Sequence, residues 1–299
     1  MKEVLAKTEP HDRTPASPNG SGVHAEVGTA DMVPARRILG MRVDATSYAD
    51  AAARIMEWAS TGQSRYVCAA SVNNVMQAHD AAPFQRLMND ADLVTPDGMP
   101  LVWALRVLGA RDAPRVRGTN LLEALCDHAA AAGVPVGFYG GTPEALRDLV
   151  ATIDRRWPDL HVVYAWSPPF RALSDEEADA VLADIVSSQV RLLFIGLPTP
   201  KQDIWMARHK GTVPAVMVGV GAAFDFLSGR KKQAPLWMQR GGLEWLFRLL
   251  TEPRRLWRRY LSQNPRFCAL FAIQLLRHTS STWIDRWRQD HRHAEEVGK

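Results

Sequence analysis

The chain has 299 residues, is 46% hydrophobic and 23% charged, and carries a formal net charge of +4. That length buries one large α/β core or two small ones, with one core plus appendages the better fit, and the three widely spaced cysteines, Cys68, Cys126 and Cys268, give no C-x-x-C metal or redox pair and suit a reducing cytoplasm. The charge is uneven: residues 230–299 hold 15 Lys/Arg against 6 Asp/Glu, leaving 21 against 26 for 1–229, so a C-terminal block of +9 invites phosphate-bearing partners.

Residues 1–36 mix Pro, Gly, Ser, Thr, His and charges without an apolar period and read as a disordered tail. No apolar run after Met1 marks a signal peptide. Short apolar runs at 38–43, 66–70, 93–95, 136–139, 162–165, 192–195 and 215–218 then alternate with Ala/Leu-rich helical stretches. This alternation predicts an α/β domain over 37–235 built on a mostly parallel, Rossmann-like sheet with crossover helices. Ligands of such sheets bind where strands turn into helices at their carboxyl ends.

Those turns come in order. After the 66–70 run, Ser71 and Asn73 offer a hydroxyl and an amide to a ligand, or cap the next helix. Asp90-Ala91-Asp92 has the D-x-D spacing of a Mg²⁺ or Mn²⁺ site but precedes its strand, so it reads as a solvated helix end. Asp97, just past the 93–95 run and followed by Gly98, is either a general base beside a substrate hydroxyl or half of an Asp-Gly turn. Arg115 and Arg117 flank Val116 and are expected on opposite faces of an extended segment, one forked onto a diphosphate and the other solvated. A surface salt bridge is the plain alternative. Gly140-Gly141-Thr142-Pro143 opens a helix with Thr142 as N-cap, either an ordinary βα turn or a set of backbone N–H groups for a phosphate.

Residues 92–98, 115–118, 138–141, 196–203, 219–225 and 234–259, in that order, resemble the motifs of the bacterial WecG/TagA/CpsF family of glycosyltransferases, over about 37–260. The resemblance implies an inverting, metal-independent transfer, without cofactor, of a sugar from a UDP donor to a polyprenyl-diphosphate-linked glycan acceptor in cell-surface polysaccharide biosynthesis. Under it Asp97 takes the place of the base, Arg115 that of the active-site arginine, and Gln202 that of the glutamine in a K-Q-E motif. Asp225 would accept from a ribose or uracil group in a pocket shaped by Gly219, Gly221 and Phe224, with Ser71, Asn73, Gly140, Gly141, Gly196 and Lys201 also on the substrate side. Two departures stand out: the family's T-x-N turn reads Ser71-Val72-Asn73, which leaves the donor sugar open, and K-Q-E reads Lys201-Gln202-Asp203.

Residues 236–299 interleave Leu and Trp with Arg and are expected to form a basic amphipathic helical appendage. It lies on an anionic membrane surface, or packs on the core with a solvated basic face. Arg254, Arg255, Arg258 and Arg259 are the side chains expected to meet that membrane or close the active site. Because the resemblance ends near 260, residues 261–299 are expected to add mainly membrane contact. The late apolar run at 267–276 is short of the roughly 20 residues a span needs. A nucleic-acid-binding module and a noncatalytic nucleotide-binding protein are the alternatives. No nucleic-acid recognition motif accompanies the arginines, and the polar residues Asp97, Arg115, Gln202 and Asp225 are all present. The expected location is cytoplasmic and peripheral on the inner face of the membrane; a homo-oligomer is compatible with these features.

Overall fold

The computed structural model describes the backbone of residues 34–297 and side chains as far as residue 277. The tail expected to be disordered, 1–36, lies outside the described residues except for 34–36. Of these, Ala35 and Arg36 belong to a strand, so the expected tail is too long by at least these two residues.

Strands β1 (Ala35–Ile38) and β2 (Met41–Asp44) form an antiparallel hairpin. The run at 38–43 was expected as one strand; it is instead the turn and flanks of this hairpin. Leu39 and Gly40 sit at φ +50° and +89°, the left-handed pair that a two-residue hairpin turn requires. Helix α1 (Tyr48–Ser60) follows, its N-cap Ser47 accepting from the Asp50 N–H at 3.1 Å.

The remaining strands make one parallel sheet: β3 (Arg65–Ala70), β4 (Leu93–Pro96), β5 (Val136–Gly140), β6 (Val162–Trp166), β7 (Leu192–Gly196) and β8 (Val216–Gly219), in the spatial order β4-β3-β8-β7-β5-β6. Their crossovers are α2 (Val72–Asp80), α3 (Ala82–Asn89), α4 (Met99–Val107), α5 (Gly118–Ala132), α6 (Pro143–Arg156), α7 (Asp175–Ser187) and α8 (Lys201–His209), and the short α9 (Ala223–Leu227) follows the last strand. This is the expected α/β, Rossmann-like architecture.

Strand residues alternate between two cores. Tyr66, Cys68, Leu193, Ile195 and Met217 enter one, whereas Val67, Phe138, Leu192, Phe194, Val216 and Val218 enter the other. A parallel sheet covered on both faces in this way must be apolar at nearly every position, which is why its strands read as continuous apolar runs.

The C-terminal segment is helical as expected: α10 (Leu236–Arg240), α11 (Glu244–Thr251) and α12 (Pro253–Val297). Its extension past 260 is not limited to the surface. Phe267 is 4% exposed and belongs to the first core, Arg266 pairs with both oxygens of Asp80 on α2 at 2.7 and 2.6 Å, and Gln274 bonds Leu39 and Arg37 in the hairpin at 2.8 and 2.7 Å. Among the described residues no helix is long and apolar enough to cross a membrane. Phe267→Ala is therefore expected to destabilise the fold by about 3–5 kcal/mol, the range for emptying a buried phenyl site. Urea denaturation reads this directly; an unchanged midpoint would place Phe267 outside the core.

Candidate active site

The strand order sets the site. Reading across the carboxyl edge from β4 to β5, neighbouring ends carry Asp97, then Ser71, then Gly219 to Gly221, then Gly196 to Gln202, then Gly140 and Gly141. At roughly 4.8 Å per strand that row is about 19 Å long. Five motifs scattered over more than half the chain thus form one contiguous ledge.

At the β4 end, the Asp97 N–H donates to the Ala70 carbonyl at 2.9 Å, which binds the loop to the end of β3. The Asp97 side chain is 34% exposed. Gly98 packs on Ser71, with a Cβ there 3.5 Å from the Ser71 Cα. Ser71 is the N-cap of α2 in a capping box with Asn74, so the capping reading of this turn holds, and Asn73 is half-buried in the first turn behind it.

The loop carrying Arg115 runs along the β4 end, with the Val116 N–H donating to Pro96 O at 3.1 Å. Arg115 Nε donates to the Asp97 carbonyl, and its Nη2 lies 3.6 Å from Asp97 Oδ1. Arg117 corrects an expectation. Residues two apart in an extended segment share a face, and both guanidiniums turn toward Glu244, Arg115 at 2.7 Å and Arg117 at 3.4 Å. Arg117 is 6% exposed, and its Nη1 is held by Gln239 at 2.6 Å and Asn120 at 3.1 Å. Neither arginine is solvated.

The glycine loops pack by close approach. Gly196 leaves no room for a Cβ because the Phe224 ring lies beneath it, and Gly140, at φ +126°, would set a Cβ 2.7 Å from the Gly196 carbonyl. Phe224 is itself 1% exposed and edge-on to Phe138 at 5.8 Å, so it supports the floor of the ledge from the core. Thr142 caps α6 as expected, accepting from the Ala145 N–H at 3.1 Å. Asp225 on α9 pairs with Lys231 at 2.7 Å.

At α8, Lys201 is exposed while Gln202 and Asp203 are buried. The Gln202 Oε1 accepts from the Gly221 N–H at 2.9 Å, joining the β7 and β8 loops. Asp203 is wholly buried; its Oδ2 accepts from Asn74 Nδ2 at 3.4 Å and its Oδ1 has no hydrogen-bond partner. Burial pushes its carboxyl from 3.8 up to about 7. A group raised in the folded state binds more protons folded than unfolded, so stability is full below about 4 and is lost as pH rises toward 7. The slope is at most about 1.4 kcal/mol per pH unit. In urea titrations at pH 5 and pH 8, wild type is expected to lose stability across that interval and Asp203→Asn to lose less. Parallel curves would sink the assignment.

Asp92 also departs from expectation. Rather than a solvated helix end, its side chain is 7% exposed, accepts from the Tyr66 N–H at 2.9 Å, and pairs with Arg65 and Lys210, both at 2.8 Å. Its lone pairs are committed to cations already in the fold.

The four C-terminal arginines lie on α12. Arg254 is exposed, Arg255 pairs with Glu252 at 2.5 Å, and Arg258 and Arg259 lie over the Trp257 and Tyr260 rings at 5.2 and 5.3 Å. The appendage meets the Arg115 loop through Gln239 and Glu244. Sequence reasoning passed over both, though Glu244 is the one acidic residue between 236 and 251 and stands out in so basic a segment.

The Glycosyl transferase WecG/TagA/CpsF family matches residues 36–281, further than the resemblance ending near 260 and consistent with α12 packing on the core. An N-acetylglucosaminyldiphosphoundecaprenol N-acetyl-beta-D-mannosaminyltransferase of Bacillus spizizenii is 32% identical over 180 residues, which are 60% of this chain and 68% of that protein. With the parallel sheet, the ordered ledge of motifs and a match spanning most of its length, the chain belongs to the WecG/TagA/CpsF family of glycosyltransferases.

Proposed function

We propose that the protein transfers a sugar from a UDP donor to a polyprenyl-diphosphate-linked acceptor, with inversion and without a metal. The observation that carries this reading is Arg115 lying against Asp97 at the carboxyl edge of the sheet, where the N-termini of α2, α4, α5, α6 and α8 also open. Helix N-termini present unpaired N–H groups and partial positive charge, a setting that suits a diphosphate. Asp97 would take the proton from the acceptor hydroxyl as its oxygen bonds to the anomeric carbon and the bond to UDP breaks. Arg115 and the helix ends would stabilise the charge left on UDP.

The activity of the Bacillus relative supports N-acetylmannosamine as the sugar and a diphosphate-linked N-acetylglucosamine lipid as the acceptor. Ser71, Asn73, Gly140, Gly141, Gly196, Lys201, Gly219, Gly221 and Asp225 would line the donor side, with Gln202 fixing the Gly221 amide and Phe224 supporting the floor.

The enzyme would work on the inner face of the cell membrane. Eight of the thirteen large apolar residues exposed among the described residues lie at 236–276, including Trp237, Leu250, Trp257 and Leu261, beside Arg254, Arg255 and Arg258. Aromatic rings among cations suit a headgroup layer. The test is a panel of UDP-sugars with a short-chain lipid-diphosphate N-acetylglucosamine acceptor, products identified by mass spectrometry, with and without EDTA. Product from UDP-N-acetylmannosamine in both arms is expected. No product from any UDP-sugar would end this reading, and a loss in EDTA restored by Mg²⁺ would end its metal independence.

A further inference from the structure

Both arginines of the 115–117 loop are held by one carboxylate of the appendage. Glu244 stands in the first turn of α11 with its side chain 11% exposed. Its Oε2 lies 2.7 Å from Arg115 Nη2, and its Oε1 lies 3.4 Å from Arg117 Nη2 and 3.2 Å from Arg248 Nη2. Burial pushes its carboxyl up, but Arg117, Arg248 and Arg115 outweigh burial and hold it below the usual carboxylate range, so it is an anion at neutral pH. Gln239 completes the grip: its Oε1 takes Arg117 at 2.6 Å while its Nε2 donates to the Ala234 carbonyl at 2.6 Å.

The effect falls on Arg115. One guanidinium edge is fixed, Nε to the Asp97 carbonyl and Nη2 to Glu244. Nη1 carries, among the described residues, a 3.5 Å contact to the Gln239 carbonyl, at the limit of hydrogen bonding. Asp97 Oδ1 waits 3.6 Å from Nη2.

We propose that Glu244 is a positioning residue: by holding the Nε/Nη2 edge of Arg115, it keeps the guanidinium from closing onto the Asp97 carboxylate and leaves the Nη1 edge for the donor diphosphate. This rests on the UDP-donor reading above. Without Glu244 the nearest carboxylate to Arg115 is Asp97, and tightening their 3.6 Å ion pair into a hydrogen-bonded one would take a cation from the diphosphate and an acceptor lone pair from the base. The appendage thereby acts on the chemistry through a side chain that touches no substrate.

The test is a cycle of four chains, wild type, Arg115→Gln, Glu244→Gln and the double variant, each measured for UDP affinity by calorimetry and for turnover. Glu244→Gln is expected to weaken UDP binding about tenfold, the loss of one charge-assisted contact. In the double variant it should add nothing to Arg115→Gln beyond about twofold. Glu244→Asp, which keeps the charge one methylene short, should recover part of the loss. Wild-type UDP affinity in Glu244→Gln overturns the proposal, as does a double variant whose loss is the product of the two singles, because a merely structural role would be additive. Should Glu244→Gln fail to fold, Glu244→Asp takes its place in the cycle under the same two criteria. A wild-type chain that binds no UDP and uses no UDP-sugar fails in a different pattern and sinks the transferase reading itself.

Discussion

Asp97→Asn is expected to lower turnover by about 10²–10⁴-fold, the range for removing an acid–base group, while leaving UDP affinity close to wild type. The split follows from the geometry. The Asp97 backbone anchors the loop, its N–H donating to Ala70 and its carbonyl accepting from Arg115, and both bonds survive the substitution. Only the side-chain oxygen that would accept the proton is replaced by an amide. Single-turnover transfer to a soluble lipid-diphosphate analogue, beside UDP calorimetry on the same preparation, reads both halves. Near wild-type turnover would remove Asp97 from the chemistry; a matching collapse of UDP affinity would assign it to donor binding.

Ending the chain at 235 is expected to abolish transfer even to an acceptor that needs no membrane. Such a chain lacks Gln239 and Glu244, so Arg117, 6% exposed, loses its carboxylate and its shortest amide contact while keeping Asn120 and Gln233, and Arg115 is released toward Asp97. Breaking a buried pair from one side costs about 3–5 kcal/mol. Ending the chain at 260, expected from sequence to weaken membrane contact in the main, instead also removes Phe267 from the core and Arg266 from Asp80. Both truncations should therefore lower thermal stability, whereas a chain ending at 277 keeps every described side-chain contact and reads only what residues 278–299 add to membrane binding. Liposome flotation at rising salt measures that contribution, since attraction of headgroups for arginine is screened within about 10 Å at 0.1 M salt. A stable, fully active 1–235 fragment would show that the appendage has no part in the site.

Six of the seven strand positions could be read from sequence: for five, burial on both faces leaves an unbroken apolar run, while the edge strand β6 is apolar although Val163 and Ala165 are exposed. The seventh run, 38–43, is apolar at its core-facing positions but hides a reversal at Leu39-Gly40, where Gly40 was the one local hint. The ledge was legible for a related reason: ligands of such sheets meet strand ends, so naming the ends names the loops. What sequence reasoning missed depends on contacts made across the chain. Glu244 meets Arg115 across 129 positions, and Asp92 meets Lys210 across 118. No local period encodes either. The error at Arg115 and Arg117 was of another kind, since the alternation of an extended segment already places both on one face.

The tie between Gln274 and the Leu39 turn spans 235 positions and joins the first hairpin of the described fold to its last helix. During synthesis, at about 5–20 residues per second, the first core lacks Phe267 and the hairpin lacks its clasp until the C-terminal helix has left the ribosome. A chain that stops short of residue 267 lacks Phe267 in that core and the Gln274 clasp on the hairpin. The segment that would meet the membrane is thus also the one that fills the first core and ties down the hairpin.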